Sequence, residues 1–367
     1  MPAFDCMVFL SPFPWDDKIQ QTTHHAARYF ASRLPVLYVE RPPVWSPRDG
    51  NFEAKRLGRV YLGRRLRHVA PNIQVLTPKS FPFGRTSLGR RINDSYYARD
   101  VSRALNQVGA EALFMAFYYE ESNRHLELIE AHPVVYYCLD FFGQEAERTL
   151  TRRADAVLAC SKVICDEKRQ LNPQTYWVPN GYDLGAFSDS PFSTPNDLAV
   201  IPRPRLGLAA LYTHHLDYDL LLKLAQRRKD CSLVLIGPLG RGQLGPDKED
   251  QVAIRRLRSH ANVYWLGYKK HAAYPQYVKG FDVGLLPLKD DPFNRGRDPG
   301  KIYQYLAAGI PVVTTPLSGL LSVPPSVHTA RNPDEFCDKI ELALQEKLDT
   351  AALAKRSRFV RGSAWSE

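Results

Sequence analysis

Short apolar runs separated by helix-length amphipathic segments dominate the first half of the chain. Residues 4–10 read as a buried strand, followed by a Pro/Trp loop (SPFPWDD), a helix to about Arg33 and a strand at 36–39. Strands at 73–76, 113–117, 134–139, 156–160 and 176–178 continue the series, with an amphipathic helix over 88–108. Strands alternating with helices of this length predict parallel βαβ units and a doubly wound sheet. The pattern stops at 185–204, where FSDSPFSTPNDLAVIPRP crowds Ser, Pro, Asp and Thr together and reads as a linker. It then restarts with strands at 206–211, 233–236, 263–266, 283–286 and 312–314, and helices at 218–228 and 249–259. Asn332, Pro333, Asp334 and Glu335 supply a cap, a first-turn proline and an acidic first turn for a helix to about Glu346. The expected architecture is α/β, with two doubly wound parallel-sheet domains at 1–184 and 205–346, the linker 185–204 between them and a helical tail at 347–367. Open α/β sheets bind ligands at the carboxyl ends of their strands, so the expected active site is interdomain.

Composition narrows the class. The 367 residues are 44% hydrophobic and 24% charged, a globular mixture that excludes a disordered or fibrous chain. Apolar runs such as 134–139 and 283–288 are far shorter than the ~20 residues that span a bilayer. The first residues show no basic segment followed by an apolar core and a cleavage site. Cys6, Cys138, Cys160, Cys165, Cys231 and Cys337 are scattered, with no C-x-x-C pair. These features predict a soluble cytosolic protein without a zinc site or disulfide framework.

The net charge of +10 is concentrated. Within 50–110, twelve basic residues (Lys55, Arg56, Arg59, Arg64, Arg65, Arg67, Lys79, Arg85, Arg90, Arg91, Arg99, Arg103) face only Glu53, Asp94 and Asp100. Phe52, Leu57, Tyr61, Leu62, Leu66, Phe81 and Phe83 are interleaved with them. This combination suits an anionic membrane surface, where each cation gains roughly 1 kcal/mol near the headgroups. Phosphate backbones of nucleic acid reward the same charges, and a solvated basic face is the plain alternative. Composition alone does not choose among them.

The sequence contains neither G-x-x-x-x-G-K-[ST] nor a strand followed by G-x-G-x-x-G, so P-loop and dehydrogenase readings lose their main support. The glycine-rich stretch GPLGRGQLG at 237–245 offers backbone N–H groups to a phosphate, or is simply a βα loop. The most informative segment is RDPGKIYQYLAAGIPVVTT at 297–315. Pro299 and Gly300 set up a helix start, and Gly309 with Pro311 ends it before a parallel strand. Lys301 stands in the first turn, at the positive end of the helix dipole, which is unfavourable for an isolated helix. The position makes sense if a diphosphate shares that end with the ammonium and the free N–H groups. The alternative is a solvent-facing lysine costing a few tenths of a kcal/mol.

This segment, with YWVPNGYD at 176–183 and SLVLIGP at 232–238, resembles the two-Rossmann (GT-B) glycosyltransferases. The likeness extends to NVYWLGY, FDVGLLPL, RFVRGSAWSE and the opening that ends in LYVERPP, and so spans almost the whole chain. Similar enzymes build bacterial exopolysaccharides and surface glycans, with the nucleotide-sugar donor on the C-terminal domain and the acceptor on the N-terminal domain. Many retaining relatives carry two glutamates eight positions apart across this helix; here those positions hold Gly296 and Gln304. The Lys301-x-x-Gln304 arrangement is more similar to the inverting glucuronosyltransferase of xanthan-type polymer assembly, in which the corresponding lysine and glutamine hold uridine diphosphate. The donor-side candidates are therefore Gly300, Lys301 and Gln304, with Tyr268, Gly237 and His214.

The same comparison points to Asp140 as general base, because Tyr136 to Asp140 resembles that enzyme's Tyr-x-x-x-Asp strand end. The plain alternative for Asp140 is a cap on the next helix, and Glu120 and Glu121 are the fallback bases. Asp217-Tyr218-Asp219 is a D-x-D at a helix start, where acidic residues favour the dipole, and no required metal or other cofactor is expected. The pairs His24-His25 and His214-His215 both lie near helix starts. The resemblance thus implies metal-independent, inverting transfer from a UDP-linked donor to a lipid-linked or glycan acceptor on the inner face of the membrane, with no nucleic-acid partner. A retaining transferase, a nucleotide-sugar epimerase, a basic nucleic-acid-binding protein and a catalytically silent scaffold are the rivals.

Overall fold

The structure is a computed structural model. It describes residues 4–362 except 18–20, 43–64, 82–85, 109–110, 182–186, 188–192, 241–244, 271 and 318–323. The chain divides into two compact units, Met1–Val178 and Pro179–Glu367.

The first unit contains β1 (Cys6–Ser11), β2 (Val36–Glu40), β3 (Arg65–Ala70), β4 (Ile73–Thr77), β5 (Ala112–Ala116), β6 (Val134–Cys138), β7 (Ala156–Ala159) and β8 (Thr175–Trp177). They form one sheet in the order β3-β4-β2-β1-β5-β6-β7-β8. Every pairing is parallel except β3 with β4. Helices α1 (Thr22–Ala31), α2 (Ser87–Val108), α3 (Ser122–Leu128), α4 (Glu145–Arg153) and α5 (Lys162–Arg169) cross between strands. All of CMVFLS in β1 is buried, because a central parallel strand is covered on both faces and gains nothing from alternation. Strand β3, RLRHVA, was not foreseen: basic residues interrupt its apolar pattern, and antiparallel pairing with β4 defines it instead.

The second unit contains β9 (Arg205–Ala209), β10 (Ser232–Ile236), β11 (Val263–Gly267), β12 (Val283–Leu286), β13 (Val312–Thr314) and β14 (Val327–Thr329). Their order, β11-β10-β9-β12-β13-β14, is the Rossmann order, with all pairings parallel and the switch point between β9 and β12. The helices are α6 (Asn196–Ala199), α7 (Tyr218–Arg227), α8 (Lys248–Arg258), α9 (Tyr274–Lys279), α10 (Pro292–Arg295), α11 (Gly300–Ala307), α12 (Pro333–Leu348) and α13 (Thr350–Arg361). Packing is close at Gly207 of β9, where an added Cβ would stand 2.0 Å from the Phe281 ring. The α12 start follows the sequence expectation, with Asn332 accepting from the N–H groups of Asp334 and Glu335.

Two expectations about organisation need correction. The division falls between Val178 and Pro179 rather than at 184. The segment 185–204 is not a coreless linker: Phe187, Leu198 and Ile201 are buried in the second unit's core. Its few apolar residues suffice because α6 presents Leu198 inward, and the Arg205 guanidinium fastens the Ala199 and Ile201 carbonyls at 3.3 and 2.8 Å. In the tail, Ala352, Arg356 and Val360 of α13 are buried, and Arg356 bonds Ser326 Oγ at 2.9 Å.

Candidate functional site

At the switch point of the second unit, the loops after β9 and β12 are laced together. Asp217 N–H bonds the Pro287 carbonyl at 3.0 Å, Lys289 N–H bonds the His215 carbonyl at 2.9 Å, and Asn294 Nδ2 donates to the same His215 carbonyl at 3.0 Å. His215 Nδ1 lies 2.9 Å from Asp291 Oδ2, and its ring stacks on Phe293. His214 packs its ring against His215 with centroids 3.9 Å apart, beside these loops. Asp217 caps α7 by accepting from Leu220 N–H, as the D-x-D reading anticipated.

The chain from β12 leads to α11. Pro299 is its N-cap and provides no side-chain hydrogen bond; its carbonyl accepts from Ile302 N–H at 3.0 Å, which leaves the Gly300 and Lys301 N–H groups for another acceptor. Gly300 opens the helix with open space around its Cβ position. Lys301 Nζ donates to the Tyr274 hydroxyl at 3.1 Å and to Gln304 Oε1 at 3.0 Å, while the Tyr274 hydroxyl donates to Gln304 Oε1 at 2.9 Å. The ammonium also sits 4.6 Å from the Tyr274 ring centroid. Among the described residues no carboxylate pairs with it. Burial, and then the neighbouring Arg297 charge, push the Lys301 ammonium down to about 8. The result is a cation held by neutral oxygens at the electropositive end of a helix.

Just before this turn, Asp298 accepts from Asn180 N–H at 2.9 Å and Tyr303 Oη at 3.0 Å, and its carbonyl accepts from Asn180 Nδ2 at 2.7 Å. Burial raises its carboxyl to about 6, against the lowering effect of those two donors. Asp298 thereby fixes the turn that presents Lys301.

The structure does not gather every donor-side candidate. The Gly237 N–H bonds the Gly267 carbonyl at 2.9 Å, so it is not open to a phosphate. Its φ of 128° and an added Cβ 1.8 Å from the Ala210 carbonyl oxygen explain the glycine by backbone geometry and close packing. Tyr268 follows the edge strand β11 and is exposed, two strands from β9 in the sheet order. Tyr274, not Tyr268, is the tyrosine that meets Lys301 and Gln304. The stretch AAYPQYV is mostly apolar, so the polar use of its first tyrosine leaves no signal in the sequence.

In the first unit, Asp140 follows β6, partly exposed in the short turn that leads to α4. The capping alternative is removed, because Gln144 is the N-cap of α4. Glu120 is exposed in the loop after β5. Glu121 is paired with Arg41 at 2.8 Å, which ties the loop after β5 to the end of β2. His24 is fully buried, with Nδ1 3.0 Å from Gln21 N and Nε2 3.0 Å from the Pro14 carbonyl; burial lowers its pKa. It stacks on Tyr38 and meets Trp15 at a tilt as part of the core edge. Glu40 closes the same region, accepting from Trp15 N–H, Arg67 and the Thr77 hydroxyl at 2.8, 3.1 and 2.6 Å.

Of the basic region, Lys55, Arg56, Arg59, Arg64 and Arg85 lie outside the described residues. Arg90, Arg91, Arg99 and Arg103 are exposed on α2, whereas Arg67 is paired with Asp16 and Glu40. Among the described residues, no helix is long and apolar enough to cross a membrane, and no cluster of three His, Cys, Asp or Glu side chains is placed to hold a metal ion.

Two Rossmann-type sheets in tandem define the GT-B fold, and comparisons with solved structures agree. HepE of Anabaena, solved with UDP and glucose, matches with a TM-score of 0.67 and 18% identity over 98% of this chain and 96% of that one. Sucrose-phosphate synthase from Thermosynechococcus elongatus matches with a TM-score of 0.72 and 13% identity, covering 99% and 96%. Residues 212–346, which include the switch-point loops and α11, match the family of glycosyl transferases group 1. The putative teichuronic acid biosynthesis glycosyltransferase TuaH of Bacillus subtilis is 22% identical over 95% of this chain and 91% of its own. The chain is a glycosyltransferase of the GT-B type.

Proposed function

We propose that this glycosyltransferase moves a sugar from a UDP-linked donor to a hydroxyl of a lipid-linked or glycan acceptor, inverting the anomeric carbon and needing no metal. One observation carries the donor side: Lys301 is a cation without a described carboxylate partner, at a helix start that no side chain caps. A diphosphate supplies the missing negative charge, drawing on the ammonium and the Gly300 and Lys301 N–H groups of α11 together. Gln304 and Tyr274 orient the ammonium, and Gly300 lets the phosphate approach the backbone. HepE, a structural relative at 18% identity, was solved with UDP-glucose, which favours uridine as the nucleotide.

On the acceptor side, Asp140 takes the proton of the attacking hydroxyl. The acceptor oxygen forms a bond to the anomeric carbon as the bond from that carbon to the β-phosphate oxygen breaks. UDP departs with the electron pair, its charge stabilised by Lys301 and the helix start. Gly296 and Gln304, at the positions of the retaining glutamate pair, favour a single displacement over a retaining course. The exposed arginines of α2 favour a peripheral place on the inner, anionic membrane surface.

The test is calorimetry of UDP binding to the full chain and its Lys301→Ala variant, with the product anomer read by NMR. Unaltered UDP affinity in the variant refutes the diphosphate assignment, and retained configuration refutes inversion. Donor conversion without any acceptor identifies an epimerase instead.

A further inference from the structure

A second buried cation, in the first unit, is absent from the scheme above. Lys168 of α5 and Glu147 of α4 are both 0% exposed, with Nζ and Oε2 2.7 Å apart. Glu147 also accepts from the Tyr136 hydroxyl of β6 at 3.0 Å and from Thr151 Oγ1 at 3.4 Å, and Lys168 reaches Glu167 Oε1 at 3.2 Å. Burial works against the Lys168 charge, yet the hydrogen bond and charge of Glu147 leave its pKa raised. Replacing a buried ion pair by apolar side chains of similar volume is often neutral or stabilising, so stability alone does not account for this one.

Its contacts converge on the turn that bears Asp140. The Lys168 ammonium sits 5.3 Å from the centroid of Phe141, the residue after Asp140. Cys138 Sγ, 3.9 Å from Glu147 Oε1, lies 3.4 Å from the Asp140 carbonyl oxygen and donates to it. Burial, then the Glu147 charge, push that thiol up to about 12, so it remains a donor. Cys160 Sγ bonds the preceding Leu139 carbonyl at 3.0 Å. Gly143, at φ 65°, turns the chain back so that its Cβ position lies 3.2 Å from the Phe141 ring. Leu139, Asp140 and Phe141 are thus each held by a buried side chain.

We propose that the Lys168–Glu147 pair is a positioning device for the acceptor base, fixing the 139–143 turn through Phe141 and Cys138 so that the Asp140 carboxylate keeps one direction. This rests on the reading of Asp140 as the base. Lys168 and Glu147 touch no substrate; they act through Phe141 and Cys138.

The test uses the full chain and the pair E147Q/K168M, which removes both charges together and leaves no lone buried ion. UDP release from UDP-glucose gives turnover, calorimetry gives UDP affinity, and hydrogen exchange of the 139–144 peptide needs no substrate. The expected result is at least tenfold lower kcat with unchanged KM for UDP-glucose and unchanged UDP affinity, at least tenfold faster exchange at 139–144, and recovery of most turnover in K168R. F141L, which keeps the ion pair, should show the same split at smaller amplitude. A folded E147Q/K168M protein with wild-type exchange at 139–144 overturns the proposal. Asp140→Asn separates the two failures: wild-type turnover in D140N defeats the base assignment and the proposal with it. An inactive D140N beside a fully active E147Q/K168M defeats the positioning role alone.

Discussion

Lys301 Nζ lies 3.0 Å from Gln304 Oε1, one turn further along the same helix, and the Tyr274 hydroxyl closes the triangle between them. The three groups are mutually satisfied yet carry a whole positive charge. In the proposed scheme an arriving diphosphate would exchange neutral acceptors for ionic ones. A hydrogen bond to a charged group contributes about 1.5–3 kcal/mol. Lys301→Ala should therefore weaken UDP binding by about 10- to 150-fold, measured by calorimetry. Tyr274→Phe, which removes one tether and keeps the charge, should cost less than about tenfold.

The lowered Lys301 pKa gives that binding a pH signature. In the proposed scheme the ammonium is the binding form, and burial holds its pKa at about 8 before UDP arrives. The terminal phosphate of UDP, with a pKa of about 6, is already fully charged above neutrality. Affinity should be flat near pH 7 and fall by about tenfold for each pH unit above 8, while Lys301→Ala shows no such fall. Folding has the opposite sign: between about 8 and the ordinary 10.5 the unfolded chain holds more protons, so this lysine makes stability rise with pH there.

Asp298 provides a second pH test, on stability. Its carboxyl is raised from 3.8 to about 6, chiefly by burial. Between those values the folded chain binds the extra proton, so stability declines as pH rises from 4 to 6 and the cost persists above it. The size is on the order of 3 kcal/mol. Asp298→Asn should remove the decline, so that the variant gains on the wild type between pH 4 and pH 7 in urea unfolding. An equal difference at both pH values would show that the carboxyl titrates normally.

The two sheets were legible because central parallel strands are written as unbroken apolar runs, as in CMVFLS and SLVLI, and helix ends carry their own marks, as at Asn332. Gly309 adopts φ 76° after α11, where the sequence places a helix-ending glycine. Strand β3 escaped because its stability comes from pairing with β4 rather than from its own pattern. The 185–204 segment misled because composition reports the average residue, whereas burial of Phe187, Leu198 and Ile201 depends on three positions. At the candidate site, Lys301 stands out by its place in the first turn of a helix, and Gln304 by the resemblance to the GT-B transferases. Tyr274 and Asn180 reach that helix only through the fold, and the Glu147–Lys168 pair looks in sequence like ordinary surface charge.

Packing beneath the switch point sets a steric limit. An alanine Cβ at 207 would stand 2.0 Å from Phe281 Cδ2, and Phe281 is fully buried. Overpacking of this kind costs about 1–3 kcal/mol or more. Gly207→Ala should lower the unfolding midpoint, and adding Phe281→Leu should recover part of the loss. A non-additive double-mutant cycle would assign the cost to this contact, and strict additivity would assign it elsewhere.

The exposed face of α2 provides the membrane prediction. Arg91, Arg99 and Arg103 are all exposed on α2. At about 100° per residue they fall within an arc of about 120°. Asp94 on the same helix is engaged by Arg124 at 3.0 Å, and buried Asp100 accepts from Lys79 N–H at 2.9 Å, so neither carboxylate pairs with those arginines. Near anionic headgroups each of three cations adds about 1 kcal/mol, so reversing all three to Glu should weaken vesicle binding by at least about a hundredfold. The wild type should float with phosphatidylserine-containing vesicles and not with neutral ones. Raising the salt from 0.1 to 1 M should release it as the screening length shrinks to about 3 Å. Equal flotation of the reversed variant would move the contact away from this helix.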